Sequence, residues 1–164
     1  MPGFEPGLLD KLFDDHARSP AAAVLRSLSV EEVKNNVARD LEALLNTRMV
    51  FGEEVVASFP ECKRSILTYG VSDFSGRSLA SHDDRAFICR SIEYAIERHE
   101  PRLQKVGVAL DLRGQTATSV LRLTITAELT LPNLHEQVNF DALLQPTTLQ
   151  YAVSRSVVSK KRMA

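Results

Sequence analysis

Two hydrophobic periods divide the chain. From Ser29 onward Val30, Val33, Val37, Leu41, Leu44 and Leu45 recur at steps of three and four, which lines one face of a helix. Ser29 and Glu32, three residues apart, form a capping box at its start. At its end Asn46 tolerates a left-handed cap, and the charge of Arg48 suits the negative helix terminus. A second long helix is predicted after Ser81, with Asp83 and Asp84 in its positive first turn. Phe87, Ile88, Ile92, Ala95 and Ile96 share one of its faces, and Pro101 stops it by disfavouring helical geometry at Glu100. Residues 49–80, between the helices, read as irregular around Tyr69 and Gly70, which suit a packed turn.

After Pro101 the period falls to two. Val106, Val108, Leu110 and Leu112 alternate with more polar or small residues. Beyond a turn at Gly114, Leu121, Leu123, Ile125, Ala127, Leu129 and Leu131 alternate with Arg122, Thr124, Thr126, Glu128 and Thr130. Two antiparallel strands with one buried face follow from this pattern. Shorter alternations at Val138 and Phe140, and at Leu149, Tyr151 and Val153, predict further strands, broken by Pro132 and Pro146.

The fold class is therefore α+β, with amino-terminal helices packed on a mostly antiparallel β-sheet formed by the carboxy-terminal half. Residues 21–153 form one domain. Residues 1–20 form an amino-terminal segment in which Leu8, Leu9, Leu12 and Phe13 repeat at one-face helical spacing, which suits either a helix that docks on a partner or a short helix folded onto its own domain. Residues 154–164, with Arg155, Lys160, Lys161 and Arg162, read as a solvated basic tail. A strand as long as Val120 to Leu131, in a domain with two long helices, leaves two readings of the sheet edge open: an uncovered edge ready for strand exchange, or an ordinary edge protected by Pro132, Pro146 and charged neighbours.

Composition narrows the classes. With 164 residues, a 44% apolar share, 25% charged residues and a net charge of −1, the chain has ordinary globular character and no basic balance that would recruit nucleic acid. A chain of this size buries roughly two-thirds of its unfolded surface, enough for one core without metals or disulfides. Cys62 and Cys89 have no paired spacing, which fits a reducing cytoplasm. Met1 to Leu12 lacks a basic, apolar leader pattern, and no stretch approaches the roughly twenty apolar residues of a membrane helix. No export signal is expected.

Candidate chemistry is sparse. No glycine-rich phosphate loop, HExxH or GxSxG motif is present, and His16, His82, His99 and His135 are scattered. Cys89 lies beside the apolar face of the second helix, where a small buried hydrophobe is expected. Neither a metal nor a cofactor is expected. Glu100, Pro101 and Arg102 stand at a stiff corner, where a surface ion pair would contribute at most about 1 kcal/mol.

Four blocks in order carry a resemblance: LLDKLF at residues 8–13, EVKNNVARDLEALLNTR at 32–48, YGVSDF at 69–74, and IEYAIERHEPRL at 92–103. Together they resemble the TssE family of type VI secretion baseplate subunits, itself similar to a wedge protein of contractile phage tails. LLNTR and EPRL weigh most. Ser72 and Phe74 depart from the proline and leucine usual in the tyrosine-glycine block, which leaves contacts there open. The resemblance implies a non-catalytic cytoplasmic subunit, in an assembly docked at the inner membrane, that joins the wedge proteins TssF and TssG. It sits where the sheath of TssB and TssC begins to polymerise. Glu100, Pro101 and Arg102 are then expected to meet a wedge partner, together with Leu8, Leu12 and Phe13. A lysozyme-like peptidoglycan hydrolase is the alternative the same family suggests, with Glu100 as its acid.

Overall fold

The computed structural model describes residues 28–111, 121–145, 148 and 150–156. The amino-terminal docking segment, the turn at Gly114, Leu112, Val120, Pro146 and Leu149 lie outside the described residues.

Helix α1 spans Val30–Leu45 and opens on the expected capping box: Glu32 N–H donates to Ser29 Oγ at 3.2 Å, and Ser29 N–H donates to the Glu32 carboxylate at 2.8 Å. Its stripe of Val33, Val37, Ala38, Leu41, Leu44 and Leu45 is buried. Residues 49–80 are more regular than the sequence suggested. They contain a short helix α2 at Glu53–Ala57 and 3₁₀ turns at Pro60–Arg64 and Ile66–Thr68. These elements are too short for a periodic signal. Helix α3 spans His82–His99, capped where Ser81 Oγ accepts from Asp84 N–H at 3.3 Å. Ile88, Ile92, Ala95 and Ile96 are its buried face, whereas Phe87 is partly exposed beneath the Arg77 guanidinium.

The second half is a four-stranded antiparallel meander in the order β1-β2-β3-β4: Leu103–Asp111, Leu121–Leu131, Leu134–Gln145 and Gln150–Arg155. The β2–β3 register runs without a break from Leu121 opposite Leu144 to Leu131 opposite Leu134. Pro132 and Asn133 close that hairpin, Asn133 with φ 66°. A proline-fixed φ followed by a positive φ is the signature of a type II turn. Strand β3 is longer than its short alternation predicted. Strand β4 continues through Arg155, so the sheet runs past the expected boundary at residue 153.

Leu123, Ile125, Ala127 and Leu129 of β2 and Val138, Phe140 and Ala142 of β3 turn one face to a common core with α1 and α3. The other face carries Arg122, Thr124, Thr126 and Glu128 with Gln137, Asn139 and Asp141. The α+β expectation holds. In the described residues no helix is long and apolar enough to cross a membrane.

Candidate functional site

The corner between α3 and β1 is where sequence blocks far apart in the chain meet. Glu100 is the C-cap of α3, with φ −119° and ψ 81°, and its N–H still donates to Ile96 O at 2.8 Å. Pro101 cannot continue the helix. Leu103 N–H then turns back to Glu100 O at 3.1 Å, and Arg102 O accepts from Thr130 N–H at 2.8 Å, which starts the sheet. Within three residues the chain passes from helix to strand.

The side chains of that turn close on one another. Arg102 Nε donates to Glu100 Oε1 at 2.6 Å, and Nη2 donates both to Glu100 Oε2 and to Asp40 Oδ2 of α1. Glu100 is only 5% exposed, and the side chains of Arg102 and Asp40 retain 25% and 22%. Burial alone would lower the affinity of Arg102 for its proton, but hydrogen bonds and charge from Glu100 and Asp40 outweigh it and raise the pKa above the ordinary arginine value. Arg39, at 3.2 Å from Asp40, adds a second cation at the rim. The surface ion pair expected here is thus a largely buried network. Glu100 faces inward, while Pro101 is exposed.

The tyrosine-glycine block joins the same corner. The Tyr69 hydroxyl is pushed up, first by burial and then by the charges of Asp40 and Glu100, and its ring meets His99 edge-on at 5.4 Å. His99 Nε2 lies 2.7 Å from the carbonyl of the buried Thr68, and burial lowers the imidazole pKa. Next to it the segment after α1 pairs with the segment after Tyr69: Val71 N–H donates to Thr47 O at 2.9 Å and Met49 N–H to Val71 O at 3.0 Å. Gly70 has φ +114°, and a Cβ there would stand 2.6 Å from Thr47 O. Only glycine fits that approach without strain.

The end of α1 differs from expectation. Asn46 is right-handed, with φ −86°, and Arg48 lies beyond the last helical turn, donating to Ser72 O at 3.4 Å. Asn46 instead grips the free edge of β4, with Oδ1 accepting from Tyr151 N–H at 2.7 Å and Nδ2 donating to Tyr151 O at 2.9 Å. One turn earlier Glu42 accepts from Val153 N–H at 2.8 Å, and Arg155 reaches back to Glu31 and Asn35. The polar residues at 31, 35, 42 and 46 thus form a stripe along β4. On the opposite edge Glu93 of α3 accepts from Val108 N–H at 2.8 Å. Of the two readings of the sheet edge, the uncovered one is therefore not found at these positions, because the helices satisfy the strand groups through side chains.

The motifs did not single out Asp40, Glu42, Asn46 or Glu93 for these roles. Asp40 directly precedes Leu41 in the apolar stripe, and that placement at the margin of a buried face was the available signal.

Catalytic geometry is weak. Both oxygens of the Glu100 carboxylate are engaged by the Arg102 guanidinium fork. A cleft of about 330 Å³ beside the β1 bulge holds Lys105, Glu128 and His135. Its Glu128 carboxyl is held down by Lys105 and, more weakly, His135. Among the described residues no group of His, Cys, Asp or Glu is placed to hold a metal ion.

No curated protein matches the chain. The family described as baseplate wedge protein gp25 matches residues 31–133, from the start of α1 to the β2–β3 turn. That span is well over half of the chain and contains every member of the buried corner. The chain belongs to the baseplate wedge protein gp25 family, a family of structural baseplate components.

Proposed function

We propose that this chain is a non-catalytic structural subunit of a type VI secretion baseplate, which joins TssF and TssG and gives the sheath of TssB and TssC its starting surface. The observation that carries the reading is that the family match coincides with the closed Asp40–Arg102–Glu100 corner. The residues most characteristic of the resemblance serve to lock a shape. An assembly part needs a rigid shape, since loosely held surfaces lose affinity to ordering costs.

In this reading Glu100 and Arg102 orient the corner from within, and a wedge partner touches it through exposed Pro101. Leu8, Leu12 and Phe13 supply a separate partner contact. The sheath contact does not rest on the capped stretches of β1 and β4, where an added strand would have to displace Glu93, Glu42 or Asn46. The assembly works in the cytoplasm at the inner membrane and meets that membrane through partners. The hydrolase alternative loses its acid, because Glu100 is engaged by Arg102.

Co-purification with tagged TssF, TssG, TssB and TssC tests the proposal. Stable recovery with the wedge pair, together with no peptidoglycan turnover by the purified protein, is the expected result. Recovery alone with turnover abolished by Glu100→Gln in a folded protein would replace it with the hydrolase.

A further inference from the structure

The turns between the two long helices leave their apolar side chains on the outside. Among the described residues nine large hydrophobic side chains are exposed, and six of them fall within residues 50–67: Val50, Phe51, Val55, Phe59, Ile66 and Leu67. Val50 and Ile66 are 83% and 81% exposed. The stretch is nevertheless tightly wound, because Phe59 N–H donates to Val56 O, Cys62 N–H to Phe59 O, Ser65 N–H to Cys62 O and Thr68 N–H to Ser65 O. Val56 is its one buried apolar side chain, and it stands outside the core shared by α1, α3 and the sheet. Both ends are tied to the body of the fold: Met49 N–H donates to Val71 O at one end, and His99 meets Thr68 O at the other. An apolar surface held in a fixed shape is already ordered for binding.

We propose that residues 50–67 are a docking surface for a partner protein, and that the partner presents an apolar segment flanked by lysine or arginine. The proposal rests on reading the chain as an assembly subunit, and it adds a contact separate from Pro101. Area supports it. The six side chains expose roughly 600 Å², the upper end of what a monomer leaves in one patch and close to the roughly 800 Å² each partner gives to a standard interface. Charge selects the occupant. The stretch carries Glu53, Glu54 and Glu61 against Lys63 and Arg64, and Glu54 and Glu61 are exposed with no ion pair among the described residues. A symmetric pair of copies would bring the same carboxylates from both sides to one interface, where like charges cost affinity. A basic flank on a different protein pairs with them instead.

Co-purification of the full chain with the tagged TssF–TssG pair tests this, beside the variants Val50→Glu, Ile66→Glu and Glu54→Lys. All three side chains stand in water, so each variant should keep the native midpoint in urea. The expected result is recovery of the pair by the native chain, reduced about tenfold or more in Val50→Glu and Ile66→Glu and by less in Glu54→Lys. Native recovery that all three variants retain would overturn the docking surface and leave the assembly reading in place. So would losses that only follow a lowered midpoint. If the native chain recovers no wedge protein, the assembly reading falls and the proposal falls with it. A native dimer in sedimentation velocity that Ile66→Glu dissolves would make the occupant a second copy, which also overturns the proposal.

Discussion

Two polar seams hold helix α1 in this molecule, and they are built on opposite terms. At the α3–β1 corner Asp40 meets Arg102 and Glu100, three charged groups in a space where Glu100 is nearly sealed from water. Along β4 the same helix uses Glu42 and Asn46 to satisfy main-chain groups at a part-buried rim. A buried charge depends on its counter-charge, so loss of one partner leaves a large desolvation cost with nothing to offset it. A main-chain amide at a rim that loses its side-chain partner can still turn to water. The corner is therefore the brittle seam and the β4 seam the tolerant one.

The largest effect should come from Arg102→Ala, which strands Glu100. A loss of about 3–5 kcal/mol of unfolding free energy is expected in urea denaturation. Arg102→Lys, which keeps the charge and loses the fork, should fall between this variant and the native chain. Gly70→Ala tests the neighbouring backbone pairing, where a Cβ meets Thr47 O. A cost of about 1–3 kcal/mol is expected for that strained conformation, visible as a lower denaturation midpoint with an unchanged slope. Asn46→Ala on the tolerant seam should cost about 1–2 kcal/mol, with faster exchange of the Tyr151 amide as its local mark. A cost equal to that of Arg102→Ala would erase the contrast between the seams.

The smallest effect concerns pH. Burial lowers the His99 pKa in the folded state, so between that value and the ordinary histidine value the unfolded chain binds more protons. This contribution is fully present above the ordinary histidine range and is lost as pH falls through it toward the folded pKa. His99→Gln keeps a donor for Thr68 O and should flatten the dependence of thermal midpoint on pH between about 5 and 7. An identical slope in the variant would assign the dependence elsewhere.

Periodicity made the two long helices, their caps and the alternating face of β2 legible, since each rests on residues close in sequence. Seam partners were not legible in the same way. Asp40 and Arg102 are 62 residues apart, and Asn46 and Tyr151 are 105 apart, so no local pattern joins them. Asn46 is the C-cap of α1, as its residue type suggested, but it is right-handed rather than left-handed, and its side-chain pairing with β4 was not visible in the sequence. The edge caps were hidden because Glu42 meets Val153 across 111 residues of chain and Glu93 meets Val108 across a change from helix to strand. The corner itself was visible as a motif, and only its burial and its third member required the fold.

A double-mutant cycle of Asp40→Ala and Arg102→Ala, with unfolding free energies measured for the four proteins and wedge co-purification beside them, tests most directly whether the corner is an internal lock. The account predicts a coupling of about 1–3 kcal/mol between the two positions, with loss of wedge recovery only in proportion to loss of the folded form. Additive effects within about 0.5 kcal/mol, in variants that stay folded yet no longer recover the wedge proteins, would contradict it and make the corner a contact surface.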